Sequence, residues 1–204
     1  INLLSHGIFT LITMVYNWSG MARLDTLSAM GENDTLVFKA SGEHAEVHLK
    51  NGTIGKVVFG VAGDSPVIIE AAEAHSVVVG EGNAQRDVYH YLKPGGPAPT
   101  MRLGITVHRG EGTWSSLPHD FELNTEPGFE EVFFYILKGA SKCGIQVGKG
   151  VWFDNKPVDT VWSINDKTFG TVPMGYHPVV GEPGVHVSYV WVYLAKKQSW
   201  EKVK

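Results

Sequence analysis

The stretch EEVFFYIL, residues 130–137, decides how this chain is read. Strand-like alternation sends Glu131, Phe133 and Tyr135 to one face and Glu130, Val132 and Phe134 to the other. If such a strand is half-buried, one of the paired glutamates points inward. An inward carboxylate is costly unless a cation or a hydrogen-bond donor meets it. The segment therefore predicts a half-buried β-strand with one of its paired glutamates turned inward.

The same rhythm runs outward in both directions. HAEVHLKNG (44–52), GKVVFGVAG (55–63), MRLGITVHRG (101–110), CGIQVGKG (143–150), DTVWSIND (159–166) and GVHVSYVWVYLAKK (184–197) are short alternating runs. With 24 glycines and 10 prolines as punctuation, they predict an all-β sandwich or barrel. Only SGMARLDTLSAM (19–30) has helical spacing, with Leu24, Leu27 and Met30 near one face, and predicts one short helix or a loop. The Pro/Gly-rich segment 93–99 cannot continue a central strand. It divides the chain into an N-terminal β unit, 1–92, expected to lack a metal site, and a C-terminal unit, 100–204, which carries the promising chemistry.

Composition narrows the function. At 43% hydrophobic and 19% charged residues the 204-residue chain is ordinary for a globular protein, and a net charge of −4 offers no field for a phosphate backbone. Nucleic acid is excluded as a partner. The lone Cys143, read as an inert strand residue, allows no intramolecular disulfide or cysteine zinc cage, which fits a reducing compartment, and a cytoplasmic location is expected. IFTLITMVY (8–16) is too short to span a bilayer and has no basic leader, so it is expected to be a buried strand, with no membrane partner. The sequons at Asn17, Asn33 and Asn51 read as chance matches, and the opening Ile1 leaves room for an N-terminal piece before it.

Four side chains are candidates to converge: His119, Glu122, Glu131 and His177. In TVPMGYHPVVGEPG (171–184) a strand ends in a Pro-x-Gly turn, and Pro178 restrains His177 from the other side. Two imidazoles and a carboxylate from separate segments suit a divalent metal and leave coordination positions open. Residue type alone leaves a plainer reading open, with His119 on a surface loop, Glu131 on a strand edge and His177 satisfied within its turn. Arg102 and Arg86 are possible partners for a substrate carboxylate, or for local acids. Tyr135 and Tyr176 are possible hydroxyl donors, or core aromatics, and His108 is a possible pocket-lining residue. Trp114, Trp152, Trp162 and Trp191 read as packing residues. A Ser-His-Asp triad has no support, because no Gly-x-Ser-x-Gly elbow is present.

Taken together, EGNAQRDVYHYL (81–92), GTWSSLPHDFE (112–122), EEVFFY (130–135) and VPMGYHPVVGEPG (172–184) resemble successive landmarks of the cupin family of uronate isomerases. That family includes 5-deoxy-glucuronate isomerase of inositol catabolism and, more distantly, 5-keto-4-deoxyuronate isomerase of pectin breakdown. The resemblance covers residues 81–195. It implies a two-unit, bicupin-like fold of jelly-roll barrels (double-stranded β-helices) and aldose–ketose isomerisation of a deoxy-hexuronate-like sugar acid. It also implies a divalent metal, one of zinc, manganese, iron or nickel, acting as a Lewis acid.

The family pattern runs W-S-S-x-P-P-H-x-H-D. Its first histidine falls on His119, the glutamate of the aromatic strand on Glu131 and the last histidine on His177, while Phe121 stands where a second histidine is expected. Glu122 or Asp120 would then serve as a replacement oxygen ligand. Glu122, Asp120 and Tyr176 are the expected catalytic residues, with Glu126 also within chain reach, and Arg102, Tyr135 and His108 the expected substrate contacts. Two other readings stand beside this one: a non-catalytic cupin that binds a sugar or small acid, and a metal-dependent oxygenase. Exposed sheet edges make a homodimer a reasonable expectation.

Overall fold

The structure is a computed structural model in which residues 15–16, 21–115 and 130–195 are described. Along the chain the strands are β1 (Val15–Tyr16), β2 (Met21–Arg23), β3 (Ser28–Glu32), β4 (Thr35–Ala40), β5 (Glu43–Lys50), β6 (Thr53–Val61) and β7 (Val67–Glu70). They continue with β8 (His75–Val79), β9 (Arg86–Leu92), β10 (Met101–His108), β11 (Trp114–Ser115), β12 (Glu131–Lys138) and β13 (Cys143–Val151). The last are β14 (Pro157–Asn165), β15 (Thr168–Val172), β16 (Met174–Tyr176), β17 (Val179–Gly181) and β18 (His186–Leu194). Among the described residues helical structure is confined to two short 3-10 turns, and no helix is long and apolar enough to cross a membrane.

These strands make three antiparallel sheets. The largest has the order β1-β15-β12-β18-β10-β9-β8. A smaller sheet, β11-β17-β13-β14 with β16 added beside β13, covers one of its faces, and a six-stranded meander from β2 to β7 covers the other. The pair formed by the largest and the smaller sheet is a cupin-type jelly roll, and its interior holds Phe133, Tyr135, Leu137, Ile164, Tyr189 and Trp191.

Strand β12 lies at the centre of this arrangement, paired with β15 on one side and β18 on the other. Every residue from Glu131 to Leu137 is buried. Val132, Phe134 and Ile136 pack with Leu36, Phe38 and Val57 of the meander, whereas Phe133 and Tyr135 face the jelly-roll interior. The expectation of a half-buried strand is corrected here: β12 has no solvent face, so both Glu130 and Glu131 are inside.

Two other expectations also change. Residues 21–30, the described part of the 19–30 stretch, form no helix; β2 and β3 pair in a hairpin with Met21 opposite Met30 and Arg23 opposite Ser28. Leu27 and Ala29 are buried while Met30 is 47% exposed, so burial follows the strand period of two and not a helical stripe. The Pro/Gly segment 93–99 joins β9 to β10, which are hydrogen-bonded to each other, so the sheet runs across the boundary anticipated between two units. The segment IFTLITMVY is described only at Val15–Tyr16, which pair with Gly170 and Phe169 at the sheet edge.

Two buried carboxylates tie the meander to the largest sheet. Glu130 accepts hydrogen bonds from the backbone amides of Thr26 (2.9 Å) and Leu27 (2.6 Å). Glu43 accepts from the amides of Thr100 (3.0 Å) and Met101 (2.9 Å) and from the Thr100 hydroxyl. Charged acceptors of this kind bind amides more strongly than neutral ones do. Removing Glu130 would strand buried donors, so Glu130→Ala is expected to lose about 2–3 kcal/mol of unfolding free energy in urea titrations. A loss below about 0.5 kcal/mol would show that the tie does not hold the layers together.

Candidate functional site

Glu131 opens β12, facing Val172 of β15 and Tyr193 of β18. Its neighbour Glu130 is anchored on the opposite face, so the direction of the Glu131 side chain into the jelly roll is set by the strand itself. Burial pushes the pKa of the Glu131 carboxyl up to about 8, because desolvation penalises its charged form. Its Oε2 has no hydrogen-bond partner among the described residues, and His177 Nε2 faces it at 3.7 Å.

His177 sits between β16 and β17 and is almost fully buried. Its Nδ1 lies 2.8 Å from the carbonyl oxygen of Gly175. A carbonyl only accepts, so Nδ1 carries a proton, and Nε2 is the ring nitrogen on the side of Glu131. This is the arrangement in which an outer hydrogen bond fixes the tautomer of a metal-binding histidine. The 3.7 Å gap is too long for a hydrogen bond and slightly wider than the span of about 3.0–3.4 Å between two ligands each about 2.1 Å from one ion. The orphaned buried oxygen and the oriented imidazole therefore fit a shared cation. Among the described residues no group of three His, Cys, Asp or Glu side chains gathers at one point.

Behind the pair stands a bracing network. Gln146 of β13 donates from Nε2 to the carbonyl oxygens of His177 (2.5 Å) and Pro178 (3.1 Å), and its Oε1 accepts from the Tyr135 hydroxyl at 3.0 Å. Tyr135 is fully buried, and desolvation holds its phenol well above the usual range. Tyr135 thus steadies the His177 turn through Gln146. The sequence reading missed Gln146, although a lone polar residue at an inward position of CGIQVGKG was a usable signal. Phe133 presents its ring to His177 in a T-shaped contact at 6.0 Å and stacks on Tyr189 at 4.4 Å.

The other candidates are distributed as follows. Arg102 of β10 lies opposite Tyr193, on the same row as Glu131, and donates from Nη1 to the carbonyls of Ala98 and Met101. Desolvation lowers its pKa. His108 sits at the other end of β10, opposite Arg86, with Nδ1 2.5 Å from Thr113 Oγ1 and its ring against Tyr189. Arg86 itself donates to the Ala84 carbonyl. Tyr176 is half-buried on β16, opposite Lys149. Ser115 bonds to the Tyr189 hydroxyl and Cys143 to the Ser141 carbonyl.

His119, Asp120, Phe121, Glu122 and Glu126 lie outside the described residues. The described chain stops at Ser115, which pairs with Val179 two residues beyond His177, and resumes at Glu130 beside Glu131.

Comparison with known proteins gives a consistent picture. The model of the KduI/IolB family matches residues 30–204. A 5-deoxy-glucuronate isomerase from Geobacillus kaustophilus is 30% identical over 138 residues, 66% of this chain and 49% of the relative. One from Halalkalibacterium halodurans is 31% identical over 126 residues, 60% of this chain and 46% of the relative. The chain spans about half the length of the curated relatives it matches. The crystal structure of an IolB-like protein from Salmonella typhimurium shares the fold, with a TM-score of 0.59 and 18% identity over 93% of this chain and 77% of that one.

The buried His108 carries a pH signature. Desolvation, then the nearby Arg86 charge, push its pKa from 6.5 down to about 4. Above pH 6.5 the ring is neutral in both folded and unfolded chains; as pH falls toward 4 only the unfolded chain takes the proton, so stability is lost across that window. The expected loss is about 3 kcal/mol between pH 7 and 4. Urea unfolding of the wild type and of His108→Asn should show a shallower pH dependence in the variant, and equal slopes would contradict the assignment.

Proposed function

The chain belongs to the KduI/IolB family, and on that premise we propose that it is a metal-dependent isomerase interconverting aldose and ketose forms of a deoxy-hexuronate-like sugar acid. Relatives named 5-deoxy-glucuronate isomerase support the substrate class. The observation that carries the reading is the buried Glu131–His177 pair, with a carboxylate oxygen that lacks a hydrogen bond and an imidazole nitrogen turned toward it. An uncompensated carboxylate in such a place costs several kcal/mol, on the order of the penalty for any buried ion, and a cation removes that cost.

In this reading Glu131, His177 and His119 hold the ion, with Glu122 as a further oxygen ligand in place of the imidazole that Phe121 lacks. The ion would be zinc, manganese, iron or nickel, and when bound it supplies Lewis acidity to the carbonyl and neighbouring hydroxyl oxygens of the sugar. The remaining work falls to side chains. A carboxylate, Asp120 or Glu122, takes the proton from the carbon beside the carbonyl and returns it to the former carbonyl carbon, while Tyr176 serves the proton exchange between the two oxygens. Arg102 meets the carboxylate of the acid. Tyr135 and His108 contribute from the walls of the jelly roll. The lone Cys143 supports a cytoplasmic setting, and exposed edge strands such as β7 support a homodimer.

The test is turnover of a panel of hexuronates, followed by NMR of the sugar, for the wild type and for Glu131→Gln and His177→Ala. Both variants are expected to lose activity by about 100-fold or more while keeping the far-UV spectrum of the folded chain. Saturable sugar-acid binding without turnover in the wild type would favour a binding role, and full activity in either variant would overturn the assignment of the site.

A further inference from the structure

We propose that the outer face of the meander carries a second small-molecule site, one that binds a phosphate monoester. It lies apart from the Glu131–His177 pair and does not depend on the sugar-acid reading. A cavity of about 490 Å³ opens at one end of this face, within the range of about 300–1,000 Å³ usual for small ligands. Ser28, Lys39, His44 and Gly60 are among its lining residues, and these four form one row across the sheet. Ser28 of β3 is directly opposite Lys39 of β4, Lys39 is opposite His44 of β5, and His44 is opposite Gly60 of β6. On the other side the row continues to Arg23 of β2, opposite Ser28. Directly opposed residues share a face. This face is the one turned away from the core, because the alternate residues Ala29, Phe38, Ala45 and Phe59 are buried.

Five neighbouring strands thus present a guanidinium, a hydroxyl, an ammonium, an imidazole and, at Gly60, bare backbone that leaves the groove open beside His44. Arg23 and Lys39 are exposed, and among the described residues neither charged group makes a hydrogen bond or an ion pair. The Ser28 hydroxyl reaches only the Lys39 carbonyl, at 3.5 Å. His44 Nε2 is buried without a hydrogen-bond partner, 3.6 Å from Glu46 Oε1. Glu46 stands in the next row between two imidazoles, with His48 Nε2 3.8 Å from its other oxygen. Glu43, on the cavity wall, is taken up by the amides of Thr100 and Met101. The row itself holds no acid, so its two cations have no counter-charge within it. Adjacent strands lie about 4.8 Å apart, which starts Arg23 and Lys39 about 10 Å apart, a gap that two long side chains close onto one anion. A phosphate monoester brings three terminal oxygens and nearly two charges, enough acceptors for the guanidinium, the ammonium and the hydroxyl together. The two oxygens of a carboxylate serve fewer of them. The cavity is larger than one phosphate group, and Val61 and Ala62 on its wall suit the carbon skeleton of the esterified alcohol.

Glucose 6-phosphate, inorganic phosphate and glucose would be titrated calorimetrically into the wild type, Lys39→Gln, Arg23→Gln, Lys50→Gln and His177→Ala. Lys39 and Arg23 are exposed, so replacing them leaves the core untouched, and Lys50 is an exposed lysine at the far end of β5 that serves as a control. The expected result is saturable binding of one glucose 6-phosphate per chain, about 10-fold tighter than inorganic phosphate, with no binding of glucose. Lys39→Gln and Arg23→Gln should each weaken it about 10-fold, while Lys50→Gln and His177→Ala leave it unchanged. Absence of saturable binding, or binding that neither Lys39→Gln nor Arg23→Gln weakens, overturns the site. Equal affinity for inorganic phosphate and the ester overturns the esterified ligand. Binding lost in His177→Ala but kept in Lys39→Gln places the anion at the Glu131–His177 pair, which overturns this inference and leaves the isomerase reading standing.

Discussion

Two successive glutamates enter a strand that has no solvent on either side, and much of the molecule is arranged around that fact. Glu130 turns toward the meander and is met by the Thr26 and Leu27 amides. Glu131 turns into the jelly roll, and its Oε2 has no hydrogen-bond partner among the described residues. The two neighbours meet burial in different ways, one held as an acceptor by backbone amides and the other facing the His177 imidazole, where an isolated carboxyl tends toward its neutral form. The raised pKa of Glu131 is that same cost seen as a proton affinity.

The rest of the architecture serves to hold this pair still. The meander covers the outer face of β12 and fixes it through Glu130, while Glu43 fixes the start of β10 beside Arg102. From inside, Tyr135 and Gln146 hold the main chain of the His177 turn, and Phe133 and Tyr189 fill the space around it. Few of these contacts touch the reacting groups, yet each narrows the positions that Glu131 and His177 can take. Precision of this kind is what a site for small-molecule chemistry requires of its scaffold.

How much of this was legible in the sequence follows from the range of the forces involved. Alternation in runs such as HAEVHLK is a local property, so the strands could be read directly. The two-sided burial of β12 could not be read with the same ease, because EVFFYIL becomes a two-faced core strand only when a separate meander arrives to cover it. Residues 19–30 were misread because the spacing of Leu24 and Leu27 suits a helix or a hairpin, and the choice is made by a strand pairing and by a carboxylate more than a hundred residues away. Pro and Gly in 93–99 stop a strand whether the next element is a new unit or an antiparallel neighbour. Glu131 and His177 were each identifiable as unusual residues, but their 3.7 Å approach and the part played by Gln146 depend on pairings between distant strands.

The most direct test of the central claim is the metal content of the purified, untagged chain, by elemental analysis before and after chelation, set beside His177→Ala. The account predicts close to one divalent ion per chain in the wild type, removable by chelator, and a large loss in the variant with the fold unchanged. Metal absent from both proteins, or equal in both, would contradict the claim that Glu131 and His177 face each other across a cation.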